Sequence, residues 1–128
     1  MPNFWYDHIH LMSPGPMKTA QFYQDLFGAK VIRTAPRADG RASVALDLNG
    51  SRLSIIEPKN NPDADTTSNP SYGIDHFGIG TDDLQTAVKE LKANGVEFTE
   101  EIREAPGVKV SFLLGPDDVL IELLERTG

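Results

Sequence analysis

Two short stretches decide how this chain is read: Asp7-His8-Ile9-His10-Leu11 and, 68 residues later, Asp75-His76-Phe77-Gly78-Ile79. Each precedes a helical stretch, a glycine (Gly28 and Gly95) and a short β-type run. At the same offset, Leu53-Ser54-Ile55-Ile56-Glu57 matches Ile121-Glu122-Leu123-Leu124-Glu125. Two anchors at one offset indicate a tandem duplication, and an internal repeat governs the whole fold.

Each half reads as strand, helix and three strands. From Tyr6 to Met12 the residues alternate, with Ile9 and Leu11 on one side and His8, His10 and Met12 on the other. Ser13-Pro14-Gly15-Pro16 breaks that strand, and Pro16 suits a first helical turn. The spacing of Ala20, Tyr23 and Phe27, beside Phe22 and Leu26, predicts a helix to about Phe27 with Gly28 as its C-terminal stop. Strands are expected at Lys30–Thr34, Ala42–Leu48 and Arg52–Ile56, with Asn49-Gly50 as a two-residue hairpin.

The second half repeats the plan. Phe77 and Ile79 face one way, His76 and Gly78 the other. Thr81 or Asp82 is the expected cap of a helix carrying Leu84, Ala87, Val88 and Leu91 on one stripe, which Asn94-Gly95 stops. Strands are expected near Val96–Thr99, Lys109–Leu114 and Val119–Leu124. One domain of 1–128 is expected, with modules at 4–57 and 73–126 and a connecting loop at 58–72 rich in Asn, Pro, Asp, Thr and Ser.

Composition narrows the chemistry. A chain of 128 residues buries roughly two thirds of the surface its unfolded form exposes, enough for a core without staples. The absence of cysteine excludes disulfides and Cys-ligated metal centres, so His, Asp and Glu must hold any metal. A net charge of −7 argues against nucleic acid, whose phosphates call for Lys and Arg. No apolar run is long enough to span a bilayer, and no leader pattern is visible, so a soluble cytoplasmic protein is expected.

On the strand faces turned away from the helices, His8, His76 and Glu122 stand out. Glu122 interrupts an otherwise apolar run, where a carboxylate is costly unless paired or bound to a cation. As the initial strands are repeat equivalents, a pseudo-two-fold arrangement would bring His8 and His76 together. Two imidazoles and a carboxylate suit a borderline divalent ion and leave positions open for water or substrate.

These residues carry a resemblance. Asp7-His8-Ile9, with Phe22-Tyr23 and Phe27-Gly28 after it, resembles the opening of the vicinal oxygen chelate superfamily. Asp75-His76-Phe77, with the ending Gly115-Pro116-Asp117-Asp118-Val119-Leu120-Ile121-Glu122-Leu123, is similar to that superfamily's second module. The superfamily includes glyoxalase I, methylmalonyl-CoA epimerase, fosfomycin-resistance enzymes, extradiol dioxygenases and metal-free bleomycin-binding proteins. The resemblance spans essentially the whole chain. It implies an α+β fold of two tandem βαβββ modules, with curved mixed sheets around a cavity, and a homodimer. It also implies one divalent ion (Ni, Co, Mn, Zn or Fe) on His8, His76 and Glu122.

Two positions depart from that pattern. Glyoxalase I and the epimerase carry a fourth ligand, Glu or Gln, near the end of the first module, and the repeat puts Ser54 there. Glyoxalase I-like chains carry an Arg four residues after the first ligand, where this chain has Met12, which disfavours glutathione as substrate.

The expected activity is isomerase or lyase chemistry on a small substrate whose neighbouring oxygens share the ion, passing through an enolate or enediolate. The alternatives are an Fe(II)-dependent extradiol-type dioxygenase and a non-catalytic drug-binding protein. His10 and Glu122 are the candidate catalytic residues, with His10 as proton donor or acceptor. Lys30, Arg33, Arg37 and Arg41 cluster around the second strand, and Arg33, Arg37 and Arg41 are the candidate binders of a substrate carboxylate or phosphate. Asp39, Glu100, Glu101 and Glu104, read as loop residues, are further candidate bases, and Trp5, Tyr6, Tyr72 and Phe112 candidate cavity or dimer-seam residues.

Overall fold

The computed structural model describes residues 8–58 and 76–128. The chain divides into two compact units, Met1–Ala64 and Asp65–Gly128. The first comprises β1 (His8–Met12), α1 (Pro16–Phe27), β2 (Lys30–Thr34), β3 (Ser43–Leu48) and β4 (Ser51–Ile56). The second comprises β5 (Phe77–Gly80), α2 (Leu84–Ala93), β6 (Phe98–Ala105), β7 (Val108–Leu114), a single 3-10 turn at Pro116–Asp118 and β8 (Leu120–Arg126). Asp7, Asp75, Trp5, Tyr6, Tyr72 and nearly all of the expected connecting loop lie outside the described residues.

Each unit holds one four-stranded mixed sheet, ordered β1-β4-β3-β2 in the first and β5-β8-β7-β6 in the second. The first strand runs parallel to the last, and the remaining pairings are antiparallel. This is the expected α+β fold. The duplication is written into the register: His10 stands opposite Ser54 in the first sheet, and Gly78 opposite Glu122, each 68 positions on, in the second.

Alternation sets the faces. On β1, Leu11 is buried while His8, His10 and Met12 are exposed. α1 packs against β2, β3 and β4 and buries Ala20 and Tyr23 beneath Val44, Leu46, Leu53 and Ile55 of the same core. Each fully buried aliphatic side chain of this kind contributes roughly 1.5–3 kcal/mol. Gly28 ends α1 at φ +72, a left-handed conformation that suits glycine. Asn49 and Gly50 both take positive φ, as a two-residue turn matching strand twist requires. In the second unit α2 turns Leu84, Val88 and Leu91 inward, toward a sheet whose core includes Leu113, Ile121 and Leu123. Among the described residues, no helix is long and apolar enough to cross a membrane.

Two local expectations need correcting. The cap of α2 is Asp83 rather than Thr81 or Asp82: its carboxylate accepts the Thr86 N–H at 3.1 Å, while the Thr81 hydroxyl accepts the Asp83 N–H at 3.3 Å. The second strand of the second half is expected near Val96–Thr99, yet β6 runs Phe98–Ala105. Glu100, Glu101 and Glu104 therefore sit on a strand and not in a loop. β6 is an edge strand, exposed along nearly its whole length, so water solvates its charges on both faces.

Candidate functional site

The second unit places its site residues through the β5–β8–β7 ladder. Glu122 on β8 has Gly78 of β5 on one side and Phe112 of β7 on the other. A Cβ at position 78 would stand 3.5 Å from Glu122 Oε1 and 3.1 Å from Leu124 Cδ2, so the glycine leaves open the space into which the carboxylate leans. His76 lies just before β5 and packs edge-on against Phe112, ring centroids 5.2 Å apart. Its Nε2 is 3.7 Å from Glu122 Oε1, with both side chains partly buried. Phe112 thus supports the imidazole and Gly78 makes room for the carboxylate.

That spacing bears on a metal. Two donors on one ion at about 2.1 Å each can stand no more than roughly 4.2 Å apart. The 3.7 Å separation falls inside this limit and beyond a good hydrogen bond. The nitrogen and oxygen donors are of the kinds a borderline divalent ion takes. Among the described residues, no group of three or more His, Asp or Glu side chains stands in an arrangement that could hold a metal ion.

In the first unit, His8 and His10 project from the same side of β1, ring centroids 6.2 Å apart. They line a cavity of about 410 Å³ together with Arg33, Arg37, Arg52 and Ser54. Partial burial lowers the His10 pKa from its ordinary value, and the positive charges of Arg37, His8 and Arg41 push it the same way. The ring is thus held toward its neutral form, able to accept a proton.

The cationic residues separate. Arg33 and Arg37 line the cavity. Arg41 instead donates to Asp39 Oδ2 at 2.9 Å and to the Glu57 carbonyl at 3.2 Å, outside the cavity lining. Asp39 has its pKa lowered, first by the backbone N–H of Arg41 and then by its guanidinium, which makes it a weaker base than an ordinary carboxylate. Glu100 and Glu101 pair with Arg103 and Lys92. Sequence reasoning missed Arg52 as a cavity residue. Alternation carried the signal, since Arg52 stands opposite His8 and two residues before Ser54 on the same face.

The family model described as "Glyoxalase/Bleomycin resistance protein/Dioxygenase superfamily" matches residues 5–123, and the chain belongs to that superfamily, in line with the vicinal oxygen chelate proteins. It is 26% identical to a lactoylglutathione lyase of Schizosaccharomyces pombe, over 97% of this chain and 46% of that protein. The chain thus spans about half the length of that relative. It is 28% identical to a mitochondrial methylmalonyl-CoA epimerase of Dictyostelium discoideum, over 94% of this chain and 77% of that one.

Solved structures agree on the fold. A glyoxalase family protein from Enterococcus faecalis superposes with a TM-score of 0.79 at 22% identity, covering 94% of this chain and 97% of that one. A variant of the fosfomycin resistance protein FosX from Listeria monocytogenes, complexed with Mn(II) and a dihydroxypropylphosphonic acid, gives 0.70 at 23% identity, covering 97% and 92%.

Proposed function

We propose that this protein is a divalent-metal-dependent enzyme of the glyoxalase-like type, acting as an isomerase or lyase on a small molecule with neighbouring oxygens. Its candidate donors are His76, Glu122 and His8. The observation that carries the reading is the His76–Glu122 pair, 3.7 Å apart with Gly78 clearing its space. Relatives that include a lactoylglutathione lyase and an epimerase support the reaction class.

A divalent ion on these donors would supply Lewis acidity to the substrate's neighbouring oxygens, the chemistry that an enolate or enediolate route calls for. The chain's own residues do the rest. Glu122 brings a negative charge that two imidazoles lack, and Phe112 keeps the His76 ring from turning away. His10, on the same strand face as His8, moves the substrate proton; its ring is held toward the neutral form that takes a proton up. Arg33 and Arg37 orient the substrate from the cavity wall. Ser54, at the position where glyoxalase I carries a further ligand, offers only a neutral hydroxyl, a poor donor for such an ion.

The test is metal content. Protein reconstituted separately with Ni, Co, Mn, Zn and Fe(II) should hold one ion per chain, and His76→Ala should hold far less. A wild-type chain that takes up none of these ions overturns the reading.

A further inference from the structure

We propose that the cavity of the first unit is a binding site for a dianionic group, so that the substrate carries a phosphate, a phosphonate or a pair of carboxylates. This deepens the reading above by naming the substrate class, and rests on it only for the idea that the ligand is a substrate.

Three guanidiniums reach this cavity from separate parts of the unit: Arg33 from β2, Arg37 from the connection after it, and Arg52 from β4. The lining adds the hydroxyls of Ser43 and Ser54, and among the described residues it contains no carboxylate. Asp47, opposite Arg52 in register, is engaged with the hairpin, where its Oδ1 accepts the Gly50 N–H at 3.1 Å. The chain as a whole has a net charge of −7, so an acid-free cationic cavity does not follow from composition. Like charges gathered without a counter-charge repel one another. A ligand with two negative charges removes that repulsion, and guanidinium forks match its oxygens in paired hydrogen bonds.

The repeat supplies a second, independent observation. At the positions of Arg52 and Ser54 on β4, the second unit carries Leu120 and Glu122 on β8. One unit has a cation and no carboxylate where the other has a carboxylate and no cation. Ser54 then determines specificity: a carboxylate at 54 would share a strand face with Arg52 and compete with the ligand for it.

The experiment uses the full chain in excess chelator, titrated calorimetrically with inorganic phosphate, malonate and acetate at low salt. Phosphate or malonate should bind once per chain, the tighter of the two identifying the geometry of the dianion, with acetate weaker than both. Arg33→Gln and Arg52→Gln should each weaken the tighter ligand by about tenfold, and Ser54→Glu should abolish binding. Arg103→Gln, whose arginine pairs with Glu100 on β6, should change nothing. His76→Ala should keep the anion while losing Mn(II), so failure of the anion site and failure of the metal site read out separately. The proposal is overturned by three outcomes: neither dianion binding, acetate binding as tightly as both, or binding indifferent to Arg52→Gln and Ser54→Glu.

Discussion

Gly78 and Glu122 stand directly opposite each other on β5 and β8, and the absent side chain of the first makes room for the carboxylate of the second. The corresponding pair in the first unit is His10 and Ser54, in which the larger side chain has moved to the other strand. The duplicated frame therefore presents different chemistry at one register position, and most of the expected outcomes below depend on that difference.

Glu122→Gln should weaken divalent-ion binding by more than about a hundredfold, because the amide lacks the charge and is a poorer donor; even loss of a residue that merely supports a ligand costs about 10–100-fold. Ser54→Ala should leave metal affinity unchanged within error. Calorimetric titration with Mn(II) checks both, and equal affinities for wild type and Glu122→Gln would remove Glu122 from the ligand set.

Gly78→Val should reduce metal affinity, because its side chain would enter the space holding the Glu122 carboxylate and press on Leu124. The strand should survive, since valine favours extended backbone. The diagnostic result is weaker Mn(II) binding with a circular dichroism spectrum like that of wild type.

The fold was legible where its signals are local. Gly28, the Asn49-Gly50 turn and the bounds of β2 follow from residue types whose backbone preferences act within a few positions. β6 was cut short because Glu100, Glu101 and Glu104 read as loop charges; only the sheet order makes β6 an edge on which such charges are tolerated. At the site, alternation exposed the faces of β1 and β8 and so identified His8, His10 and Glu122. The separation of Arg41 from Arg33 and Arg37 depends on an Asp39 contact and the path of a loop, and no periodicity encodes either.

Asp83→Ala should lower the melting temperature at neutral pH by removing the cap of α2. The hydrogen bond from the Thr86 hydroxyl, and then its backbone N–H, lowers the Asp83 pKa. A carboxyl with a depressed folded pKa stabilises the protein fully above its unfolded pKa of about 3.9, and that stabilisation is lost as pH falls through the folded value. The gap between wild type and Asp83→Ala should therefore be widest near pH 7 and shrink below about pH 4, as followed by thermal melts across that range.

The protein should be a homodimer in solution. Each unit is small, and β2 leaves Val31 and Ile32 exposed along a sheet edge. Closed two-fold pairs are the commonest soluble assembly. Light scattering at micromolar concentration should return twice the mass of one chain, and a single-chain mass would overturn the expectation.

The parallel pairing of first and last strands has a consequence for how the chain is made. His8 waits for Arg52, and Phe77 for Ile121, an identical span of 44 residues in each unit. A growing polypeptide can wind α1 early, because helical contacts are local. It cannot seat β1 until β4 has left the ribosome, since closing such a loop must precede the pairing that rewards it. The strand that carries His8 and His10 is thus made before the rest of its module and is among the last of its parts fixed in place, and the same order applies to His76 ahead of Glu122. In both halves, the chemistry-bearing face is assembled only when the module is complete.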